Sequence, residues 1–152
     1  MGRLAGGVTV VTALDGDEHP RGFTATAVCS VSLDPPLVLV CVAREARTPA
    51  AIREAGRYAL NFLHSGDASA ADRFAASGGS KFDGVEWAAA PGGAPLLSGV
   101  LAWVECEVEF DVEAGDHTII VGRVTAAEIE MANEDPLVHF GGRYHTVEAL
   151  DE

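Results

Sequence analysis

Residues 103–112 alternate without a break. Val104, Cys106, Val108, Phe110 and Val112 fall on one side of an extended chain, and Trp103, Glu105, Glu107, Glu109 and Asp111 on the other. Successive side chains of a strand point to opposite faces, so a run this long commits the chain to a strand with one apolar face to cover. Ala114-Gly115-Asp116 turns the chain, and His117 to Glu130 returns as the antiparallel partner.

The rest of the sequence supplies more strands than helices. Val8 to Leu14 is rich in β-branched residues and reads as a strand. An acidic turn, Asp15-Gly16-Asp17-Glu18, leads to a second strand read from Gly22 to Leu33. After Asp34-Pro35-Pro36, the run Leu37 to Ala43 reads as a strand buried on both faces. Thr48-Pro49 predicts a helix start, with the threonine hydroxyl as N-cap, and Gly56 is placed to end that helix. Tyr58 to Leu63 returns as a strand, Asp67 to Ala76 predicts a second short helix, and Ser77 to Gly99 reads as loop. Leu137 to Phe140 and Arg143 to Val147 flank Gly141-Gly142 as a compact hairpin. Roughly eight strands and two short helices, without strict βαβ alternation, predict a mainly β antiparallel barrel in a single domain.

Charge and motifs remove several function classes. A formal charge of −13 disfavours nucleic acid and anionic membrane surfaces, since both need clustered Lys and Arg. No apolar run reaches the ~20 residues of a membrane span, and Met1 to Gly7 lack the apolar core of a signal peptide. Cys29, Cys41 and Cys106 show no CxxC spacing and lie on apolar runs, which reads as buried reduced thiols in a cytoplasmic protein. No two glycines are separated by a single residue, so the GxGxxG dinucleotide fingerprint is absent. GxxxxGK[ST] and GxSxG are absent too. His19, His64, His117, His139 and His145 contain no HExxH pair, and although His139 and His145 could approach across their hairpin, no metal is expected.

One stretch carries ligand chemistry. In Gly22-Phe23-Thr24-Ala25-Thr26-Ala27-Val28-Cys29-Ser30-Val31-Ser32-Leu33, small hydroxyl residues alternate with small apolar ones. Such a strand can lie flat against a planar heterocycle, offering backbone N–H groups and hydroxyls to its polar edge. The same residues also suit an edge strand selected for β-propensity and solubility.

Several runs together resemble the flavin reductase-like family. They are Gly7-Val8-Thr9-Val10-Val11-Thr12, Gly22 to Thr26, Ser30 to Val38, Lys81-Phe82-Asp83-Gly84-Val85, Gly93 to Leu97, and Gly115 to Gly122. The match follows nearly the whole chain in order. It implies an FMN-binding split β-barrel over residues 1–152, forming a homodimer and lacking the N-terminal helix that many relatives carry. It also implies hydride transfer from NADH or NADPH to FMN or FAD, with reduced flavin passed to a partner monooxygenase. Carried over by position, Thr24, Ala25, Thr26, Ser30, Val31 and Ser32 would line the isoalloxazine and ribityl chain. Ala43, Arg44 and Thr48 would hold phosphate, while Lys81 and Phe82 would sit by the phosphate or adenylate end. His117 would lie near the nicotinamide, and Tyr144 near the mouth of the site. Thr26-Ala27 stands where many relatives have Asn-Ser, so a hydroxyl replaces a side-chain amide there. A flavin-binding electron carrier and a non-enzymatic small-ligand scaffold are the alternatives that the same fold allows.

Overall fold

The computed structural model describes residues 1–150; the last two residues of the expected domain lie outside the described residues. Its strands are β1 (Gly6–Gly7), β2 (Thr9–Leu14), β3 (Pro20–Ala25), β4 (Val28–Leu33), β5 (Pro36–Ala43), β6 (Arg57–Phe62), β7 (Trp87–Ala89), β8 (Pro95–Leu97), β9 (Ala102–Ala114), β10 (His117–Ile129), β11 (Val138–Phe140) and β12 (Arg143–His145). Two helices, α1 (Thr48–Ala55) and α2 (Ala68–Ala75), complete the order.

Seven strands form one antiparallel sheet in the order β3-β2-β6-β9-β10-β5-β4. The edge strands β3 and β4 are consecutive in sequence and joined only by Thr26 and Ala27. A flat sheet would hold those edges about 29 Å apart, at ~4.8 Å per spacing. Three Cα steps reach roughly 11 Å. The sheet must therefore roll up until its edges nearly meet, and it remains split where β3 and β4 part. This is the expected split barrel. The expected single strand from Gly22 to Leu33 is corrected to two strands, because the chain bends at Thr26-Ala27 to pass from one edge to the other.

Two cores sit on the two faces of β2. Val11 and Ala13 point into the barrel with Val40, Val42, Leu60 and Ile120, and Ile52 of α1 joins them. Val8 and Val10 point outward under α2, against Leu63, Phe74, Leu97 and Trp103. Alternation alone would give β2 one wet face, but α2 and the β7–β8 hairpin cover it. That hairpin corrects the loop reading of residues 77–99. It is held by long-range polar contacts: Thr12 Oγ1 donates to Pro95 O at 2.5 Å, and Asn61 Oδ1 accepts the Leu97 N–H at 2.9 Å.

The β9 alternation is real, yet its burial differs from expectation at both ends. β6 pairs with β9 only over Ala102–Glu107, so the far half of β9 has β10 as its only neighbour. Phe110 and Val112, expected on a buried face, are 52% and 50% exposed because the register shift opposite Val121 and Gly122 skips Glu109 and turns them to the face opposite Val108, away from the barrel core. Glu105, expected on the wet face, is 1% exposed. Its carboxylate accepts the N–H groups of Gly92 and Ala94 at 2.8 and 3.0 Å, with Arg57 at 3.6 Å. Beyond it, Glu107, Glu109 and Asp111 pair with Arg57, Arg123 and Arg53.

Other local expectations are also adjusted. Gly56 ends α1 in the left-handed conformation as expected, but the N-cap is Arg47 with no side-chain cap, and Thr48 lies buried inside the first turn. Cys106 is buried while Cys29 is exposed, because β4 is an edge. His139 and His145 meet Tyr144 and Phe140 edge-on respectively. Pairing of His139 with Tyr144, and of Val138 with His145, puts the two imidazoles on opposite faces.

Candidate functional site

The split leaves two strand edges side by side. Among the described residues β3 pairs in the sheet only with β2, and β4 only with β5, so each presents a row of backbone groups with no ladder partner. The junction between them is pinned by the Cys41 N–H, which donates to Ala27 O at 2.9 Å. Thr24 is half-buried, and its Oγ1 donates to Ala71 O of α2 at 2.6 Å, keeping lone pairs to accept from a ligand. Ala25 is buried in the barrel core, whereas Thr26 is exposed beside Gly6. On β4, Ser30 and Val31 are exposed and Ser32 is half-buried; a register shift between Ser30 and Ser32 makes Val31 bulge.

A second group gathers at the end of β5. Ala43 pairs with His117 across the β5–β10 ladder, two residues past Cys41 and so about 7 Å beyond the junction. The β9–β10 turn is the two-residue loop Gly115-Asp116, with Gly115 at φ 64°. A positive φ at the first loop position suits glycine and gives the strands their right-handed twist. Arg44 fastens this turn: its N–H donates to Asp116 O at 3.0 Å, and Nη1 to Gly115 O at 3.2 Å. Its Nη2 lies 3.6 Å from Glu113. His117 Nδ1 stands 2.7 Å from Asp116 Oδ1, and the imidazole holds the Asp116 carboxyl below the usual carboxylate range.

A third group lies around α2. Lys81 Nζ donates to Phe74 O at 2.8 Å and Gly22 O at 3.3 Å, and burial lowers its pKa from the ordinary ammonium value. Phe82 packs edge-on to Phe74 and Trp87, at 5.1 and 6.3 Å between centroids. Tyr144 Oη donates to Asp72 at 2.9 Å; burial, and then this bond, raise its phenol pKa. The structure thus brings Thr24, Lys81, Phe82 and Tyr144 to α2, and Ala43, Arg44 and His117 to the β5 end. It does not bring the two expected phosphate cations together. Lys81 reaches Gly22, four residues before the junction, while Arg44 lies beyond Ala43 on the other side of it. Sequence reasoning missed Asp116, whose only signal was its place directly before His117, and the Ala71 carbonyl, which had none.

These elements fit a flavin. Unpaired strand N–H groups suit the polar rim of the ring, while Arg44, with exposed Arg47 nearby in sequence, offers charge to a phosphate.

Comparison with known proteins agrees with this reading. The Flavin reductase like domain family matches residues 1–148. A Rhizobium meliloti protein named "Probable flavin reductase" is 47% identical over 128 residues, which is 84% of this chain but 41% of that protein. The reductase subunit HsaB of a flavin-dependent monooxygenase from Rhodococcus jostii is 36% identical, covering 97% of this chain and 75% of that one. Among solved structures, the Streptomyces globisporus NADH:FAD oxidoreductase SgcE6, in complex with NAD and FAD fragments, superposes with a TM-score of 0.89. It is 38% identical and covers 97% of this chain and 88% of that chain. The chain belongs to the flavin reductase-like family, as its motifs imply. The expected class, an NAD(P)H-dependent flavin oxidoreductase, stands on the same matches. No helix among the described residues is long and apolar enough to cross a membrane.

Proposed function

We propose that this chain reduces FMN or FAD with NADH or NADPH and supplies reduced flavin to a partner monooxygenase. The observation that carries the reading is the pair of open strand edges at Thr24–Ser32, flanked by the His117 turn. A flavin held there would supply the acceptor for the nicotinamide's hydride. The chain's part is to place the two rings within about 3–3.5 Å. Thr24 to Thr26 and Ser30 to Ser32 bind the ring rim through N–H and hydroxyl groups. Fixed donors there stabilise negative charge growing at the N1–O2 edge without reorganising. Ala43, Arg44 and the backbone N–H of Thr48, whose side chain is buried, hold the phosphate end, Lys81 and Phe82 support the α2 wall, and Tyr144 borders the mouth. His117 orients the nicotinamide carboxamide.

A steady-state assay crossing both nicotinamides with FMN, FAD and riboflavin tests this. NADH or NADPH oxidation that requires added flavin is expected. A yellow protein without such turnover would instead mark an electron carrier, and a colourless one that quenches no flavin fluorescence would mark a scaffold. His117→Ala should slow stopped-flow flavin reduction about tenfold, or ~1.4 kcal/mol of barrier, with flavin affinity kept. An unchanged rate removes His117 from the site.

The working form is a homodimer of this one domain. Phe110, Val121, Leu39 and Cys29 follow one another in register across β9, β10, β5 and β4 on the outer face of the sheet. Phe110 and Val112 are exposed there, the kind of apolar surface that marks an interface. Phe110→Asp should shift the species seen by light scattering from dimer to monomer; a monomeric parent chain, or an unaltered dimer, counts against this face. The free thiols Cys29, Cys41 and Cys106 support a reducing compartment, the cytoplasm.

A further inference from the structure

We infer that Asp116 is a positioning residue for His117, fixing which imidazole nitrogen is left to meet the nicotinamide; this rests on the site reading above. The 2.7 Å contact joins Asp116 Oδ1 to His117 Nδ1. A carboxylate can only accept at that distance, so a neutral His117 ring making this bond carries its proton on Nδ1. Nε2, which has no partner among the described residues, is then the only nitrogen available to a ligand. Free neutral histidine favours the other tautomer, with the proton on Nε2, so this arrangement has to be imposed. The backbone under the pair is held in place, while the Asp116 side chain itself is 95% exposed and has only the imidazole as partner among the described residues. The two-residue turn leaves little freedom between Asp116 and His117, and Arg44 ties both turn carbonyls to the end of β5. Ala43 pairs with His117 on the same ladder. The other charged groups at this corner, Arg44 and Glu113, face each other at 3.6 Å, which leaves the Asp116 carboxylate to the imidazole. Because Arg44 grips backbone oxygens of the turn, removing the Asp116 side chain leaves the turn's anchor intact.

The test compares the parent protein with Asp116→Ala and Asp116→Asn, by long-range proton–nitrogen NMR of the His117 ring and by stopped-flow reduction. In the parent, the neutral ring should carry its proton on Nδ1. In Asp116→Ala it should move to Nε2, with flavin reduction slowed about tenfold and flavin KM unchanged. The amide oxygen of Asp116→Asn can still accept from Nδ1, so that variant should keep the parent tautomer and most of the rate. In a His117→Ala background, Asp116→Ala should cost nothing further. An Nδ1 proton that stays in Asp116→Ala, or a parent-like rate after the tautomer moves, would overturn the inference. A parent-like rate in His117→Ala alone would instead strike the reading of His117, while the NMR result still decides what Asp116 does to the ring.

Discussion

Gly122→Ala is expected to cost about 3 kcal/mol of stability, near the upper end for an overpacked core. For a chain this size that lowers the melting temperature by roughly 6–12 °C. A Cβ at Gly122 would overlap the Tyr58 hydroxyl and stand 2.7 Å from Cys106 Cβ and 2.8 Å from Tyr58 Cζ. None of these atoms can retreat. Tyr58 and Cys106 are fully buried in the barrel core, and the clash falls beside the bulge between Val121 and Gly122, where β10 changes register on β9. The same spot holds the least favourable polar group in the core. The Tyr58 hydroxyl is buried with no hydrogen-bond partner among the described residues, and burial pushes its pKa well above the usual phenol value. Cys106 beside it is pushed up to about 12, chiefly by burial. An unsatisfied buried hydroxyl costs ~1–3 kcal/mol, so Tyr58→Phe should leave stability unchanged or raise it. Added to Gly122→Ala, it should recover part of the loss, a non-additive result expected of touching residues. Thermal melts of the three variants decide it. A Gly122→Ala protein that melts with the parent would show the contact to be soft.

Glu105→Ala is expected to cost about 3–5 kcal/mol, the range for breaking a buried ion pair. Its carboxylate is the acceptor for Gly92 and Ala94, whose N–H groups would be left unpaired, and it neutralises one side of Arg57. Glu105→Gln keeps the shape but offers a single acceptor oxygen, so one N–H loses its partner and the cost falls to about 1–3 kcal/mol. The local effect should be concentrated in the loop that Glu105 holds. Hydrogen exchange at Gly92 and Ala94 should quicken in both variants before exchange in β2 or β6 does. Equal protection of that loop in the parent and in Glu105→Ala would contradict the assigned role.

What the sequence disclosed, and what it hid, follows from which forces act locally. The β9–β10 hairpin was legible because alternation and a Gly-Asp turn are properties of neighbouring residues. α1 was legible through Pro49 and Gly56, although its cap was misplaced by one residue, since Thr48 turns inward and is buried. The bend at Thr26-Ala27 was not legible: neither residue breaks a strand, and the bend is imposed by closure of the sheet onto its own edges. The β7–β8 hairpin consists of three-residue strands whose stability comes from Thr12 and Asn61, far away in sequence. Exposure of Phe110 and Val112 follows from the register shift opposite Val121 and Gly122, which turns them to the outer face and which the unbroken alternation of β9 does not announce. Of the candidate site, Thr24, Lys81, Phe82 and Tyr144 do converge on one helix, and Ala43, Arg44 and His117 on one ladder end. Their grouping into separate clusters on either side of Thr26-Ala27 depends on closure of the sheet, which no local run of residues encodes.

The tricyclic ring of the flavin is expected to rest in the gap between β3 and β4. A crystal structure of the protein with FMN bound measures this directly. The ring should lie along Thr24 to Ser32, its N1–O2 edge within hydrogen-bonding distance of backbone N–H groups, with His117 at the exposed face. A ring seated elsewhere, with that gap filled by the protein's own side chains, would contradict the account.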